Sequence, residues 1–349
     1  MKQINVGVIG TGWVGGIRAN ACARNAIIDE LHIAEIDEKR CAEVAEATNA
    51  AGTTKDWRTI IDNPSIDAVI IAMTPETARF PMVMAALEAG KSVFVEKPIG
   101  PTMEDADRAL RLARDNNLKI TVGYSRRFDP RYAYINKALK GGLIGEPVTC
   151  LISRHATREL GEKITGRSKL SPTSIGGSHD IDFVLWCMQP RKPIRVYSQT
   201  AGKLLSKNGD TDDHQWTMIT MDDGTTITCG VGWILPKGYP NYVQCWIEVI
   251  GTDGALTIDD THREMQLNTP EHGIRYPLST MPGEQVDHVY AGSMYDETHH
   301  FLDAVAHDRP VMVSAEEALS VMDVCAAADL SVERGEPVSL PRNDPSGGI

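Results

Sequence analysis

The first 123 residues alternate short apolar runs with segments of helical periodicity. Runs such as 68–72 and 92–95 are continuously apolar, which is typical of strands that are buried on both faces. The pattern predicts strands at 6–9, 31–36, 68–72, 92–95 and 119–122 with a short one near 53, and helices at 17–24, 38–47, 56–62, 77–89 and 103–115. Strands separated by helices at this rhythm indicate a parallel, doubly wound α/β sheet of the Rossmann type.

The pattern changes after Gly123, where longer strands follow one another along the chain. The pattern predicts strands at 147–154, 194–201, 214–221, 225–233, 243–250 and 254–258, and helices at 130–140, 180–188, 295–307 and 315–334. Asp222-Asp223-Gly224 is a hairpin signal between two of these strands. We therefore expect a Rossmann domain over 1–123 and an α+β domain over 124–349 with a large, mostly antiparallel open sheet.

A glycine-rich turn, Gly10-x-Gly12-x-x-Gly15, joins the first strand to the first helix. The first glycine allows a tight turn, the second lets a pyrophosphate approach the backbone, and the third lets helix and strand pack closely. The helix N-terminus offers N–H groups to phosphates. We expect Gly10, Gly12, Trp13, Val14 and Gly15 to bind a dinucleotide, although a glycine-rich turn can also be purely structural.

Asp37 follows the second strand, 22 residues after Gly15. A carboxylate at this place accepts hydrogen bonds from the adenosine ribose and repels a 2′-phosphate, which favours NAD over NADP. Lys39 and Arg40 come next and leave a 2′-phosphate site open. The alternative is that both belong to the exposed first turn of the next helix.

The composition argues against several classes of binding partner and site. The formal charge of −12 argues against nucleic acid and anionic membrane surfaces. Seven cysteines without a CxxC pair suggest thiols of a cytoplasmic protein rather than disulfides or a zinc site. No stretch approaches the roughly 20 apolar residues of a membrane span, and the first 25 residues do not resemble a signal peptide. Adjacent His299 and His300 diverge by about 100° on a helix, so we expect no metal site.

Two short motifs follow parallel strands, at the sheet edge where open α/β sheets bind ligands. They are Thr74-Pro75 and Glu96-Lys97-Pro98. We expect Thr74, Pro75, Glu96 and Lys97 to border the cofactor, while prolines here can also serve only to rigidify loops. Lys97 can donate to a substrate hydroxyl and later polarise the carbonyl, and an ion pair with Glu96 is the alternative.

These motifs together resemble the glucose–fructose oxidoreductase, inositol dehydrogenase and MocA family over nearly the whole chain. The motifs that carry the resemblance are Gly10-x-Gly12-x-x-Gly15, Thr74-Pro75, Gly90-Lys91, Glu96-Lys97-Pro98, Gly123-Tyr-Ser-Arg-Arg-Phe-Asp-Pro130 and Gly176-Gly-Ser-His179-Asp-Ile-Asp182. The resemblance implies NAD(P)-linked oxidation of a secondary alcohol on a sugar or cyclitol. It also implies a second domain whose open sheet face builds a homo-oligomer, a dimer or tetramer, and catalytic roles for Lys97 and His179.

The chain departs from the family pattern next to that histidine. Inositol-type members carry an aspartate four residues before it, and this chain has Ile175 there, which cannot orient or charge-stabilise an imidazole. Asp180 or Asp182 could replace the missing partner. The usual Thr-Pro-Asn motif ends in Glu76 here, and Arg79 stands where a histidine is usual.

The chemistry of alcohol oxidation assigns roles to the two residues. His179 removes the hydroxyl proton near neutral pH, and Lys97 stabilises the developing alkoxide. Further substrate contacts are expected from Arg126, Arg154 and Trp233, although Trp233 could be strand-end core. The polar segment 155–172 is a candidate substrate loop or a solvated surface loop.

Three functions fit these residues. The first is an NAD-dependent dehydrogenase acting on a ring hydroxyl of a sugar, sugar derivative or inositol. The second is an enzyme with tightly held NAD that oxidises its substrate transiently, for isomerisation or elimination, and then returns the hydride. The third is a non-catalytic dinucleotide-binding regulatory protein, for which Ile175 argues and against which Lys97 and His179 argue.

Overall fold

A computed structural model describes residues 3–166, 168–205, 212–262, 265–277 and 283–342 of the protein. The chain divides into two compact units. The first is Met1–Asp129 with Pro282–Leu319, and the second is Pro130–Met281 with Ser320–Ile349. The sequence predicts one crossing between domains, after residue 123. The assignment of 282–319 to the first unit is therefore a difference from that expectation.

The predicted strands and helices occur in the expected order, and the structure adds one helix and five short strands that the sequence analysis did not predict. The strands are β1 (Ile4–Ile9), β2 (Ile28–Ala34), β3 (Gly52–Thr54), β4 (Ala68–Ile71), β5 (Ser92–Val95), β6 (Ile120–Val122), β7 (Pro147–Thr157), β8 (Pro193–Ala201), β9 (His214–Met221), β10 (Thr226–Leu235), β11 (Val243–Gly251), β12 (Ala255–Asp259), β13 (Leu267–Thr269), β14 (Gly273–Arg275), β15 (Gln285–Val286), β16 (Val289–Tyr290) and β17 (Val338–Ser339). The α-helices are α1 (Trp13–Ala23), α2 (Glu38–Thr48), α3 (Trp57–Asp62), α4 (Phe80–Glu88), α5 (Met103–Asp115), α6 (Pro130–Lys140), α7 (Arg158–Thr165), α8 (Ser178–Met188), α9 (Ser293–His307) and α10 (Ala315–Arg334).

The first unit is a Rossmann-type sheet. Its six strands lie in the order β3-β2-β1-β4-β5-β6, and every pair is parallel. Val8, Ile70 and Phe94 are fully buried, as expected for strands covered on both faces. Phe301 and Leu302 of α9 belong to the same core, and the Phe94 and Phe301 rings meet edge to face with centroids 5.6 Å apart. Burial of these two α9 side chains, worth about 1.5–3 kcal/mol each, explains why 282–319 returns to this unit.

The second unit contains a seven-stranded sheet in the order β12-β11-β7-β10-β9-β8-β17. All neighbours are antiparallel except β7 and β10, which run parallel. Alternate residues of β9 and β11 are buried, so the sheet has one face in the core. The two sheets together confirm the predicted fold class.

The interpretation of 155–172 as a loop is wrong for most of its length. Strand β7 continues to Thr157, and α7 then occupies Arg158–Thr165. Leu160 and Ile164 are four residues apart and form a narrow apolar stripe, which the surrounding Arg, Glu and Lys obscure in the sequence. Residue 167 lies outside the described part of the chain.

Three further observations concern partners. All seven cysteines lie within the described residues, and none forms a disulfide. In the described ranges, no group of three or more His, Cys, Asp or Glu side chains is placed to hold a metal ion. Among the described helices, none is both long and apolar enough to cross a membrane.

Candidate functional site

The glycine-rich turn has the geometry that its three glycines require. Gly10 has a φ of +82°, and a Cβ added there would lie 2.5 Å from the Cα of Met73. At Gly15 an added Cβ would lie 1.9 Å from the Gly10 carbonyl oxygen. At Gly12 an added Cβ would meet no atom within 4 Å. The first and third positions are thus closed by packing, and the middle one is open.

The N-terminus of α1 faces this opening. Gly12 is its N-cap, and no side chain of the described residues caps it. Its first turn contains no acidic residue, so the N–H groups and the positive end of the helix dipole favour an anion. Trp13 is 52% exposed and Val14 is half-buried at this end. The residues present fit the pyrophosphate of a dinucleotide.

Glu35 and Arg40 hold the turn in place. The Glu35 carboxylate accepts hydrogen bonds from the Thr11 amide at 2.6 Å and the Thr11 hydroxyl at 3.0 Å. Arg40 Nε donates to the Thr11 carbonyl oxygen at 2.6 Å, and a second nitrogen donates to the Gly12 carbonyl oxygen at 3.4 Å. Arg40 is therefore a support of the glycine-rich turn.

Asp37 caps α2. Its carboxylate accepts the backbone amide of Arg40 at 2.9 Å, the usual N-cap arrangement. Glu35 lies two residues closer to the end of β2, and 20 residues after Gly15. Glu35, which the sequence interpretation missed, is thus the carboxylate that borders the turn.

Arg79 ties together the ends of two neighbouring strands. It is 4% exposed, and its Nε donates to the Met73 carbonyl oxygen at 2.6 Å, just beyond β4. Its Nη1 donates to the carbonyl oxygens of Glu96 at 3.1 Å and Lys97 at 2.7 Å, just beyond β5. Thr74 and Pro75 are exposed between these anchors. Hydrogen bonds from Arg79 therefore hold the backbone of Lys97 to the segment that follows β4.

The Glu96 side chain belongs to a buried ion cluster. Its Oε1 accepts from Nε of Arg18 at 3.1 Å and from Nη2 at 2.9 Å. Arg18 also pairs with Glu297 of α9 at 2.5 Å and lies 4.3 Å above the Phe94 ring. Burial alone would lower the pKa of the Arg18 guanidinium, but the two carboxylates raise it. The Glu96 carboxylate, which the sequence interpretation assigns to the cofactor, thus pairs with Arg18. The room for it comes from Gly123, where an added Cβ would lie 2.6 Å from Oε2.

We expect Arg18→Met to lower the free energy of unfolding by about 3–5 kcal/mol, because two buried carboxylates would lose their partner. Urea unfolding measures the change. Arg111→Met is the matched control, since Arg111 is 61% exposed in a 2.7 Å pair with Asp107 and its loss costs about 0.5 kcal/mol. Equal losses for the two variants would show that the buried cluster does not stabilise the fold.

Lys97 and Arg126 are the remaining candidates of the first unit. Lys97 is half-buried at the carboxyl end of β5, on the backbone that Arg79 fixes. Arg126 is half-buried in a 3₁₀ turn, Ser125–Phe128. Its neighbour Arg127 is buried and pairs with Glu317 at 3.0 Å. Of the two adjacent arginines, Arg126 is thus the one with solvent access.

His179 lies in the first turn of α8, directly after a π-helical turn at Thr173–Gly177. It is half-buried, whereas Asp180 and Asp182 are almost fully buried. Arg154 of β7 donates from Nε to Asp180 Oδ2 at 2.8 Å and also donates to the Gly176 carbonyl oxygen. Arg154, predicted to contact substrate, is thus engaged with the segment that carries His179.

Trp233 is buried. Its side chain is 4% exposed and is covered by α7, where a Cβ on Gly161 would lie 2.5 Å from the Trp233 Cβ. The sequence analysis gave this strand-end core position as the alternative to a substrate contact by Trp233. His155 is also buried, next to the Trp216 ring at 5.7 Å between centroids, and burial lowers its pKa to about 4.

Comparison with known proteins shows the family of the chain. Residues 4–124 match the family model described as "Oxidoreductase family, NAD-binding Rossmann fold", and residues 136–340 match that of its "C-terminal alpha/beta domain". Scyllo-inositol 2-dehydrogenase (NAD(+)) of Bacillus subtilis is 26% identical over 351 residues, 97% of this chain and 96% of that one. Levoglucosan dehydrogenase of Pseudarthrobacter phenanthrenivorans is 28% identical over 302 residues, 76% of this chain and 75% of that one.

A solved structure with the same fold is scyllo-inositol dehydrogenase from Lactobacillus casei with bound NAD(H) and scyllo-inositol. The TM-score is 0.83 at 22% identity, over 98% of this chain and 100% of that one. The family models together cover most of the chain. The chain therefore belongs to the Gfo/Idh/MocA oxidoreductase family, whose N-terminal domain is an NAD-binding Rossmann fold.

Proposed function

We propose that the protein is an NAD-dependent dehydrogenase that oxidises a secondary ring hydroxyl of a sugar, sugar derivative or inositol. The observation that carries the proposal is the placement of Lys97. Its backbone is fixed by buried Arg79, at the carboxyl end of β5, in the unit that carries the open glycine-rich turn. The relatives that are named as inositol or levoglucosan dehydrogenases support this substrate class.

The proposed chemistry assigns one task to each residue. Bound NAD supplies the hydride acceptor for the hydrogen on the carbinol carbon. His179 accepts the hydroxyl proton as general base, and the C–O bond becomes a carbonyl as the C–H electron pair leaves. The Lys97 ammonium stabilises the negative charge that develops on the same oxygen. Arg126 is proposed to contact the other hydroxyl groups.

The test is NADH formation across a panel of inositols, sugars and sugar acids, followed by absorbance. A ring polyol that reduces NAD at a rate proportional to enzyme supports the proposal. NAD that co-purifies, with substrate conversion but no net NADH, would instead identify an enzyme that returns the hydride. Cofactor binding without conversion of any compound would identify a dinucleotide-binding regulatory protein.

We propose Glu35 as the ribose-binding carboxylate, because it borders the glycine-rich turn whereas Asp37 caps α2. Glu35→Gln keeps an acceptor for the Thr11 amide but removes the charge. We expect it to weaken NAD binding about 10-fold and to bring the NADP affinity closer to that of NAD, since a charged hydrogen bond contributes about 1.5–3 kcal/mol. Titration calorimetry with both cofactors measures the change.

Asp37→Asn is the matched control for this titration. Asparagine is an equally good N-cap, so α2 keeps its start while the charge is lost. We expect its NAD affinity to stay within about 2-fold. A larger loss for Asp37→Asn than for Glu35→Gln would return the role to Asp37. Tighter binding of NADP than NAD by the unaltered protein would contradict the cofactor preference itself.

We also propose a cytoplasmic homo-oligomer, a dimer or tetramer. The outward residues of β9 and β11 place large apolar side chains on the second face of the seven-stranded sheet: Trp216, Met218, Trp246 and Ile250, each 37–47% exposed. Exposed apolar patches of this kind mark protein–protein contacts. The mass in solution from light scattering tests the assembly, and the seven thiols suit a reducing compartment.

A further inference from the structure

The turn that precedes His179 is wound as a π-helix, and its first two amides donate to side chains, one from β9 and one just before the turn. The Thr173 amide donates to Gln215 Oε1 of β9 at 3.1 Å. The Ser174 amide donates to Ser171 Oγ at 3.1 Å. π-Helical turns are rare and occur frequently at functional sites. The start of this turn is therefore held by specific hydrogen bonds.

Asp329 of α10 is the centre of this network. Its Oδ2 accepts the Ser174 hydroxyl at 3.1 Å, and its Oδ1 accepts Gln215 Nε2 at 3.2 Å. Burial raises the pKa of Asp329, although hydrogen bonds from Ser171, Gln215 and Ser174 act in the opposite direction. One carboxylate thus fixes the Ser174 side chain directly and, through Gln215, the Thr173 amide.

The other end of the turn is held from β7. The Gly176 carbonyl oxygen accepts a hydrogen bond from Arg154, and Arg154 also pairs with Asp180 at 2.8 Å. Gly176 lets the turn pack closely against β10, because a Cβ at this position would lie 2.9 Å from Val231 Cγ2. Asp180 directly follows His179. Hydrogen bonds from Arg154 therefore lie on both sides of His179 along the chain.

We infer that Asp329 and Arg154 are positioning residues, which hold the π-helical turn and thereby orient the His179 imidazole. The inference rests on the proposed role of His179 as general base. Ile175, within the turn, carries no charged group that could orient the imidazole. The turn is held by hydrogen bonds at Thr173–Ser174 and at Gly176, and these bonds fix the backbone from which the His179 side chain extends. A misplacement of about 1 Å at a reacting group costs on the order of 10²-fold in rate.

The decisive variant is Asp329→Asn, which keeps size and shape but turns one acceptor into a donor that faces the Ser174 hydroxyl or the Gln215 amide. We expect kcat to fall about 10- to 100-fold while the affinity for NAD stays within about 2-fold. Asp323→Asn on the same helix is the matched control. Its carboxylate accepts Arg342 Nε at 2.6 Å in a largely buried pair that does not involve the turn. We expect its kcat to stay within about 2-fold.

A second measurement needs no substrate, so that it remains valid if the proposed function fails. The ¹⁵N signals of the His179 imidazole are identified by their loss in His179→Gln. We expect them to shift or broaden in Asp329→Asn and in Arg154→Gln, and to be unchanged in Asp323→Asn. Should Asp329→Asn not fold, Ser174→Ala removes one bond of the same network and is expected to move the same signals.

The outcomes separate the two proposals. Unchanged His179 signals in Asp329→Asn, Arg154→Gln and Ser174→Ala, or an unchanged kcat in a folded Asp329→Asn, would overturn the positioning role. Shifted signals in a protein whose His179→Gln variant keeps full activity would leave the positioning intact and overturn the assignment of His179 as the base.

Discussion

His179→Gln is expected to lower the rate of polyol oxidation by about 10²- to 10⁴-fold, the usual contribution of a positioned acid or base. Glutamine can still form hydrogen bonds but cannot accept the hydroxyl proton. His179 is half-buried at the start of α8, whereas Asp180 and Asp182 are almost fully buried. His179 is thus the accessible titratable group of this segment. Steady-state rates on the substrate identified by the NADH panel measure the effect.

The pH dependence provides a second readout for His179. The neutral imidazole is the proposed base, so the rate should rise with pH as the imidazole loses its proton and then level off. Ile175→Asp would place a carboxylate in the turn, which favours the protonated imidazole and should move the inflection to higher pH. A profile that is identical in the His179→Gln variant, with activity retained, would mean that another group accepts the proton.

Lys97→Ala is expected to reduce turnover by about 10²- to 10³-fold, as for the loss of one preorganised donor to a developing oxyanion. The charge appears only on the way to the transition state, so the binding of NAD should change little. Calorimetry and single-turnover kinetics measure the two quantities separately. Lys97→Met is a second variant for the same measurements, because methionine retains most of the length of the side chain without its charge.

Arg79 supplies the control for Lys97. Arg79→Lys keeps a charge but cannot bind three carbonyl oxygens in the same planar fork. It should therefore disturb the backbone of Lys97 without removing the ammonium, and lose less activity than Lys97→Ala. A large loss of NAD affinity in Lys97→Ala, with catalysis on bound substrate preserved, would show that Lys97 serves the cofactor or the fold.

The arrangement of strands and helices could be predicted from periodicity, because β4 is continuously apolar, β5 is apolar after Ser92, and several helices begin at a capping side chain. α2 and α5 begin within one residue of the expected positions, since Asp37 and Thr102 accept amides of their first turns. α7 could not be predicted, because its apolar stripe is only Leu160 and Ile164 among charged residues.

Some residues of the candidate site could be recognised in the sequence, and others could not. The motifs at Gly10, Lys97 and His179 are local and could be recognised in the sequence. The residues that hold these motifs in place come from distant parts of the sequence. Arg18 lies on a helix where an arginine normally faces solvent, and its partner Glu297 is 279 residues further along. Two carboxylates follow β2, and the sequence analysis named only Asp37. The structure distinguishes them, because Glu35 accepts the Thr11 amide whereas Asp37 caps α2.

The return of 282–319 to the first unit matters for anyone who recombines members of this family. A chimera cut only after residue 123 would keep the Glu-Lys-Pro motif of one parent and take Glu297 and Phe301 from the other. Arg18 would then meet a foreign partner, and the Phe94 ring a foreign neighbour. Exchange of substrate specificity therefore requires three junctions, near residues 129 and 282 and within α10 near residue 320, so that the cofactor unit is transferred whole.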